Sequence, residues 1–276
     1  MTRVVGVHGV GNYRQGEAAE EASQRLSGIW RRHLSAELPT IAADEVDVAY
    51  YADRLRPAGR QGGDRIDDLP EDAEWMLRRW LETIGLPRGN RQGWGTMPLR
   101  QALSWVAERR RLSPKLVELF VAVFFREVSA YLNPSDDSVR RSARERVVAT
   151  VRRHRPKVVL AHSLGSVVAY EALWCCPDVE VDLLVTLGSP LALPHAVFHR
   201  LEPSTGGGRG VRPPGVVRWV NIADPGDLVA LPLRGVSRRF RDVDIDVHDV
   251  VHAFDFHLVA NYLTCSELVS TLRGHL

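Results

Sequence analysis

The stretch from Lys157 to Ala172 constrains this 276-residue chain more than any other. Val158, Val159 and Leu160 form a short, partly β-branched apolar run with the length of a buried strand. The run stops at His162-Ser163-Leu164-Gly165. Val167, Val168, Tyr170, Glu171 and Ala172 then continue with helical character. A strand that turns abruptly into a helix needs small residues at the corner, because the backbone there is strained and the helix packs close to the strand. Ala161 and Gly165 supply them.

With its serine at the corner, Ala161-His162-Ser163-Leu164-Gly165-Ser166 resembles the Gly-x-Ser-x-Gly nucleophile elbow of α/β-hydrolases, in particular the lipase-like His-Ser-Leu-Gly branch. Ala161 stands where that pattern has its first glycine. The resemblance implies an α/β fold of the α/β-hydrolase kind: a mostly parallel open sheet of about six strands, helices on both faces and a helical insertion. It also implies Ser163 as nucleophile. A serine in an ordinary strand-to-helix turn is the plainer alternative, so the weight rests on whether the other parts follow in order.

A chain of this length with 45% apolar residues can form one large α/β domain with an elaborated region. The expectation is a single domain over residues 1–276, with a mainly helical insertion at about 53–153. No apolar run reaches 18 residues, so no membrane-spanning helix is expected. Met1 leads directly into a strand without a signal-peptide pattern. Of the three cysteines, Cys175 and Cys176 are adjacent and Cys265 is distant, which suits neither a metal site nor a disulfide framework. A cytoplasmic setting follows from these points. Apart from Lys115 and Lys157 every cationic side chain other than histidine is arginine, and runs such as Arg109-Arg110-Arg111 raise nucleic acid as a partner. Acidic residues nearly match basic ones, with a net charge of +2, so these runs read as solvated helix faces and no nucleic-acid partner is expected.

Arg3 to Asn12 reads as a first buried strand ending in His8-Gly9. In the family this strand carries half of the oxyanion hole, the other half being the N–H of the residue after the nucleophile. By that resemblance the donors are Val10 and Leu164, with Gly11 replacing Val10 if the loop bends one residue later. A phosphate-binding loop fits poorly, because Gly6-x-x-Gly9-x-Gly11 lacks the dinucleotide spacing and no Lys-Ser/Thr follows. His8 reads as a packing residue beneath the loop. Glu17–Leu38 is an amphipathic helix pattern and Val46–Tyr51 the next strand.

Helical patterns then cover Glu71–Ile84, Leu99–Arg111, Ser113–Leu132 and Ser135–His154. The third holds the most apolar stretch of the protein, and residues 112–132 carry three readings. They are a buried helix, a lid or wall of an acyl pocket, and a contact with a lipid surface or a second copy. Val181–Leu191 reads as the strand after the elbow helix, with Ser189 as scaffold. Residues 204–214 read as a mobile loop.

Val216–Ile222 is the next strand. The family places its triad acid in the following loop, where Asp227 and Asp224 compete, Asp227 being preferred for its Asp-x-Val…Leu-Pro context. Both could simply form a turn. Val243–Val247 reads as the last strand and Val259–Leu272 as the closing helix. His248, His252 and His257 lie between them. His257 is the preferred triad base, because His257…Tyr262-Leu263 resembles a pattern of the family, and His252 is the reserve.

The order Ser163…Asp227…His257 is that of α/β-hydrolases, with each residue at the end of a separate strand. The resemblance implies a serine esterase or lipase-like enzyme acting through an acyl-enzyme, on a small-molecule ester with a hydrophobic acyl group, and needing no metal or cofactor. A thioesterase or acyltransferase would use the same residues. A non-catalytic binding or scaffold protein is the alternative from another class.

Overall fold

The computed structural model describes residues 3–42, 45–56, 65–85, 98–206, 208–249, 251 and 257–276. Its first strand, β1 (Val4–Val7), is followed by helix α1 (Ala19–Glu37), β2 (Val46–Ala49) and the short α2 (Ala52–Leu55). Then come α3 (Glu71–Thr83), α4 (Leu99–Arg110), α5 (Pro114–Tyr131) and α6 (Ser138–His154). The second half runs β3 (Val158–His162), α7 (Leu164–Trp174), β4 (Val181–Leu187), β5 (Val216–Ala223), α8 (Gly235–Arg239), β6 (Ile245–His248), α9 (Val259–Thr264) and α10 (Ser266–Arg273).

The six strands form one sheet in the order β2-β1-β3-β4-β5-β6, and every pairing is parallel. The protein is of the α/β class. Chain order reverses between β1 and β3, and in open parallel sheets such a switch point opens a crevice beyond the carboxyl ends of the strands. His8-Gly9 follows β1 there, and Ser163 follows β3.

Alternating strand residues feed two apolar cores, one on each face. Val4, Val48, Val158, Leu160, Leu183 and Val185 join Leu26, Trp30 and Leu34 of α1 and Leu268 and Leu272 of α10. Val5, Val7, Val159, Ala161 and Leu184 join the buried sides of α3 to α7. A parallel sheet covered on both sides needs strands that are apolar throughout, and β1 and β3 are buried at every position. Of the long insert helices, α6 packs against β1 and β2, while α3 and α4 pack on α5 and join the same core through side chains such as Leu77, Trp80, Phe124 and Phe125.

Two sequence expectations change. The closing helix is broken at Cys265, whose φ of −71° and ψ of 148° are extended. No proline or glycine interrupts residues 259–272, but the Thr264 hydroxyl turns back to the Ala260 carbonyl at 3.0 Å. Such local side-chain bonds compete with the helical ladder. The last strand begins at Ile245 rather than Val243, because Asp244 serves the neighbouring strand differently, its Oδ2 accepting the Trp219 N–H at 2.8 Å. Among the described residues no helix is long and apolar enough to cross a membrane.

Candidate active site

Ser163 stands between β3 and α7 with φ 54° and ψ −132°, a conformation that L residues adopt only under constraint, at a cost of about 1–3 kcal/mol. The constraint is visible. The Ser163 N–H donates to the Leu187 carbonyl of β4 at 3.0 Å. Its carbonyl accepts from the Ser166 hydroxyl at 2.6 Å, and Ser166 is itself 2.7 Å from the Ser189 hydroxyl. Ser189 in turn accepts the Leu191 N–H at 3.2 Å. Ser189 is scaffold in a specific sense, closing a hydroxyl chain that holds the elbow carbonyl. Gly165 is required by close approach: a β-carbon there would lie 2.3 Å from the carbonyl oxygens of Val7 and His8.

Asp227 and His257 meet directly. His257 Nδ1 lies 2.7 Å from Asp227 Oδ2, so its N–H donates to the carboxylate and Nε2 is left as the acceptor nitrogen. The same Oδ2 accepts the Tyr262 hydroxyl at 2.7 Å, while Oδ1 accepts the backbone N–H groups of Val229 at 2.9 Å and Ala230 at 3.4 Å. A carboxylate that is fully buried is tolerable only with such a set of donors. Tyr262 also accepts the Asp224 N–H at 3.0 Å. Burial, and then the charge of Asp227, push the phenol well above its ordinary range, so it is a fixed neutral donor.

Asp224, the competing acid, is placed otherwise. Its carboxylate accepts the N–H of Gly226 at 2.5 Å and of Val251 at 2.7 Å, which makes it the turn former. His252, the reserve base, lies outside the described residues. His248 is carried away to the β6 edge, where Nε2 is 2.9 Å from Asp246.

Ser163 Oγ and His257 Nε2 are both buried with no hydrogen-bond partner among the described residues. The His162 ring, next to Ser163, is 4.7 Å from the His257 ring, centroid to centroid. A β-carbon on Gly9 would fall 2.6 Å from the Ser163 β-carbon, so the loop after β1 lies directly on the elbow. Burial, with the charge that His257 would carry, depresses the His162 pKa well below the histidine range.

Of the candidate oxyanion donors, the Val10 and Leu164 N–H groups donate to no acceptor among the described residues outside helix α7. Leu164 opens α7, where the first N–H groups have no intrahelical acceptor. Gly11 is committed elsewhere, donating to Glu127 Oε2 at 3.1 Å. His8 braces the loop from beneath. Its ring stacks on Tyr51 at 4.3 Å, and Nε2 accepts the Tyr51 N–H at 3.2 Å. Nδ1 lies 2.8 Å from the Gly9 carbonyl. Burial lowers its pKa to about 4, so it is a neutral packing group.

A cavity of about 580 Å³ opens beside the pair, lined by Val10, Leu116, Leu119, Phe120, His162 and His257 among others. The volume and apolar character suit a small organic ligand. Phe120 of α5 meets the His257 ring edge-on at 5.0 Å. The helix serves two ends: Val117, Val121, Phe124 and Phe125 are buried in the core, whereas Leu116 and Leu119 are exposed. Among the described residues no group of three His, Cys, Asp or Glu side chains is placed to hold a metal ion.

Sequence reasoning assigned no role to Tyr262, Ser166, Glu127 or Trp80, whose indole N–H donates to the Leu228 carbonyl at 2.6 Å beside Asp227. Only Tyr262 left a trace, five residues after the histidine.

The fold and site thus define an α/β protein with a strained serine elbow and a buried Asp–His pair at the switch point of an all-parallel sheet. No protein-family model matches the chain, and neither a curated protein nor a solved structure shows significant similarity to it.

Proposed function

We propose that this protein is a serine hydrolase of the α/β-hydrolase type, cleaving carboxylic esters with a hydrophobic acyl group through an acyl-enzyme. One observation carries the reading: the 2.7 Å Asp227–His257 bond leaves an acceptor nitrogen on a ring 4.7 Å from that of His162, the chain neighbour of Ser163, which is held at positive φ. In this mechanism His257 Nε2 takes the Ser163 proton as Oγ bonds to the acyl carbon. Asp227 holds the ring in the Nδ1–H tautomer and stabilises the imidazolium. The N–H groups of Val10 and Leu164 receive the oxyanion. Collapse expels the alkoxide, which takes the proton from His257, and water repeats the sequence to free the acid.

The competing reading is a non-catalytic fold of the same shape. It draws on the absence of a Ser163–His257 hydrogen bond among the described residues. Serine–histidine bonds are commonly long before substrate binds, and a buried Asp–His–Tyr cluster beside a cavity supports the catalytic reading. The test is labelling by a fluorophosphonate, followed by a chain-length series of p-nitrophenyl esters and matching acyl thioesters. The expected result is labelling that Ser163→Ala abolishes, with turnover of esters. An unlabelled wild type would favour the scaffold. Preferential turnover of thioesters would move the activity to that class with the same residues.

A further inference from the structure

We infer that Glu127 of α5 is a positioning residue for the oxyanion loop, fixing which backbone N–H faces the reacting carbonyl. The inference rests on the hydrolase reading and deepens it. Glu127 is buried to 1% exposure among apolar neighbours on the insert side of the sheet. Its Oε2 accepts the Gly11 N–H at 3.1 Å across 116 residues of chain. Its Oε1 is 3.6 Å from Arg56, which also lies over the Tyr13 ring at 5.7 Å. A buried carboxylate is costly unless paired and bonded, and this one holds a loop whose next residue back is Val10.

The consequence is geometric. Gly11 sits at φ 75°, where the chain reverses, and its amide is pulled toward α5. Of the two candidate donors in this loop, Gly11 is committed to Glu127 while the Val10 amide donates to no described residue, and that amide is held by tethers on both sides. On one side His8 and Gly9 are fixed by the Tyr51 hydroxyl, which donates to the His8 carbonyl at 2.6 Å. On the other stands the Glu127 bond. The side chain of Asn12 adds to this bracing, donating to the carbonyls of Gly9 at 2.9 Å and Val10 at 3.2 Å.

One face of α5 thereby reaches both halves of the machinery. Phe120, Val123 and Glu127 recur at helical spacing. Phe120 meets His257, a β-carbon at Gly11 would lie 3.8 Å from Val123 Cγ1, and Glu127 holds the Gly11 amide. Backbone donors stabilise a transition state only when they are aimed before charge develops, and displacement of about 1 Å costs on the order of 100-fold. Glu127 keeps that aim from outside the reacting shell.

The experiment uses the full chain with Glu127→Asp, Glu127→Leu and Glu127→Gln, assayed well below each variant's melting temperature. Asp keeps the charge facing Arg56 but is too short to reach Gly11. Leu removes both contacts. Gln keeps an acceptor oxygen of the right reach. The expected result is a fall in kcat of roughly 10- to 100-fold for Asp and Leu, with KM changed less than about threefold. Gln should restore most of the lost rate. Affinity for an aryl boronic acid, which mimics the tetrahedral intermediate, should fall in parallel with kcat.

If Leu fails to fold, the Asp–Gln contrast alone decides. Asp retaining wild-type kcat, or Gln falling as far as Asp, would overturn the role while leaving the hydrolase reading intact. A wild type that neither reacts with fluorophosphonate nor turns over esters would instead remove the reading beneath it.

Discussion

At the scale of single residues, the proposed chemistry depends on protons and donors being fixed in advance. Asp227 dictates the His257 tautomer through one 2.7 Å bond. A carboxamide in place of this carboxylate can present N–H to Nδ1 and so favour the wrong tautomer. We expect Asp227→Asn to lower kcat by about 10³- to 10⁴-fold while the fold is kept. Steady-state turnover beside a thermal melt tests this, and a loss under tenfold would contradict the assigned role.

His8 makes a prediction about pH. Its folded pKa is near 4, against an ordinary 6.5. Between those values the unfolded chain binds a proton that the folded chain refuses. Stability is therefore whole above about 6.5, declines as pH falls, and stops declining on this account below about 4. The gap between the two values corresponds to on the order of 3 kcal/mol, and His162, depressed in the same direction, adds to it. Urea unfolding at pH 7 and pH 4.5 should show the loss, and His8→Gln should flatten the slope. A wild-type midpoint that does not move between those two pH values would refute it.

At the scale of elements, α5 shows how much a helix's surroundings add to its composition. Its apolar stretch admitted a buried helix, a pocket wall or a surface contact. In the fold Phe124 and Phe125 go to the core, while the exposed Leu116 and Leu119 and the partly buried Phe120 line the cavity. If that cavity takes the acyl chain, narrowing it should shorten the preferred substrate. Leu119→Trp should lower kcat/KM for a decanoyl ester relative to an acetyl ester by about tenfold. That is the equivalent of losing two buried methylenes at about 0.8 kcal/mol each. An unchanged ratio would place the acyl group elsewhere. The elbow was the most legible element, because strand, small residues and helix follow one another without interruption. The break at Cys265 was not, since neither proline nor glycine interrupts residues 259–272 to mark it.

At the scale of the whole molecule, the helix after the elbow is locked to the insert by a buried ionic cluster. Arg140 of α6 pairs with both oxygens of Glu171 on α7, Tyr131 of α5 donates to Glu171 at 2.7 Å, and the Glu202 N–H donates to it at 3.0 Å. Arginine runs that the sequence presents as solvated faces thus include one guanidinium taken into the interior. Removing one partner strands the others, so Glu171→Ala should destabilise the fold by about 3–5 kcal/mol. Chemical denaturation would measure it, and a loss below about 1 kcal/mol would show that solvent reaches the cluster. The sequence by itself determined what is local: alternation and β-branching set the strands, apolar spacing set the helices, and Ala161 to Gly165 set the serine turn. It also set the order of serine, acid and histidine. Only the tertiary structure decided which aspartate meets the histidine and that Glu127 takes the Gly11 amide rather than that of Val10. It alone brought Glu127 and Tyr262 to the site. Those outcomes depend on contacts between residues from 30 to 116 positions apart, and no repeating pattern along the chain records them.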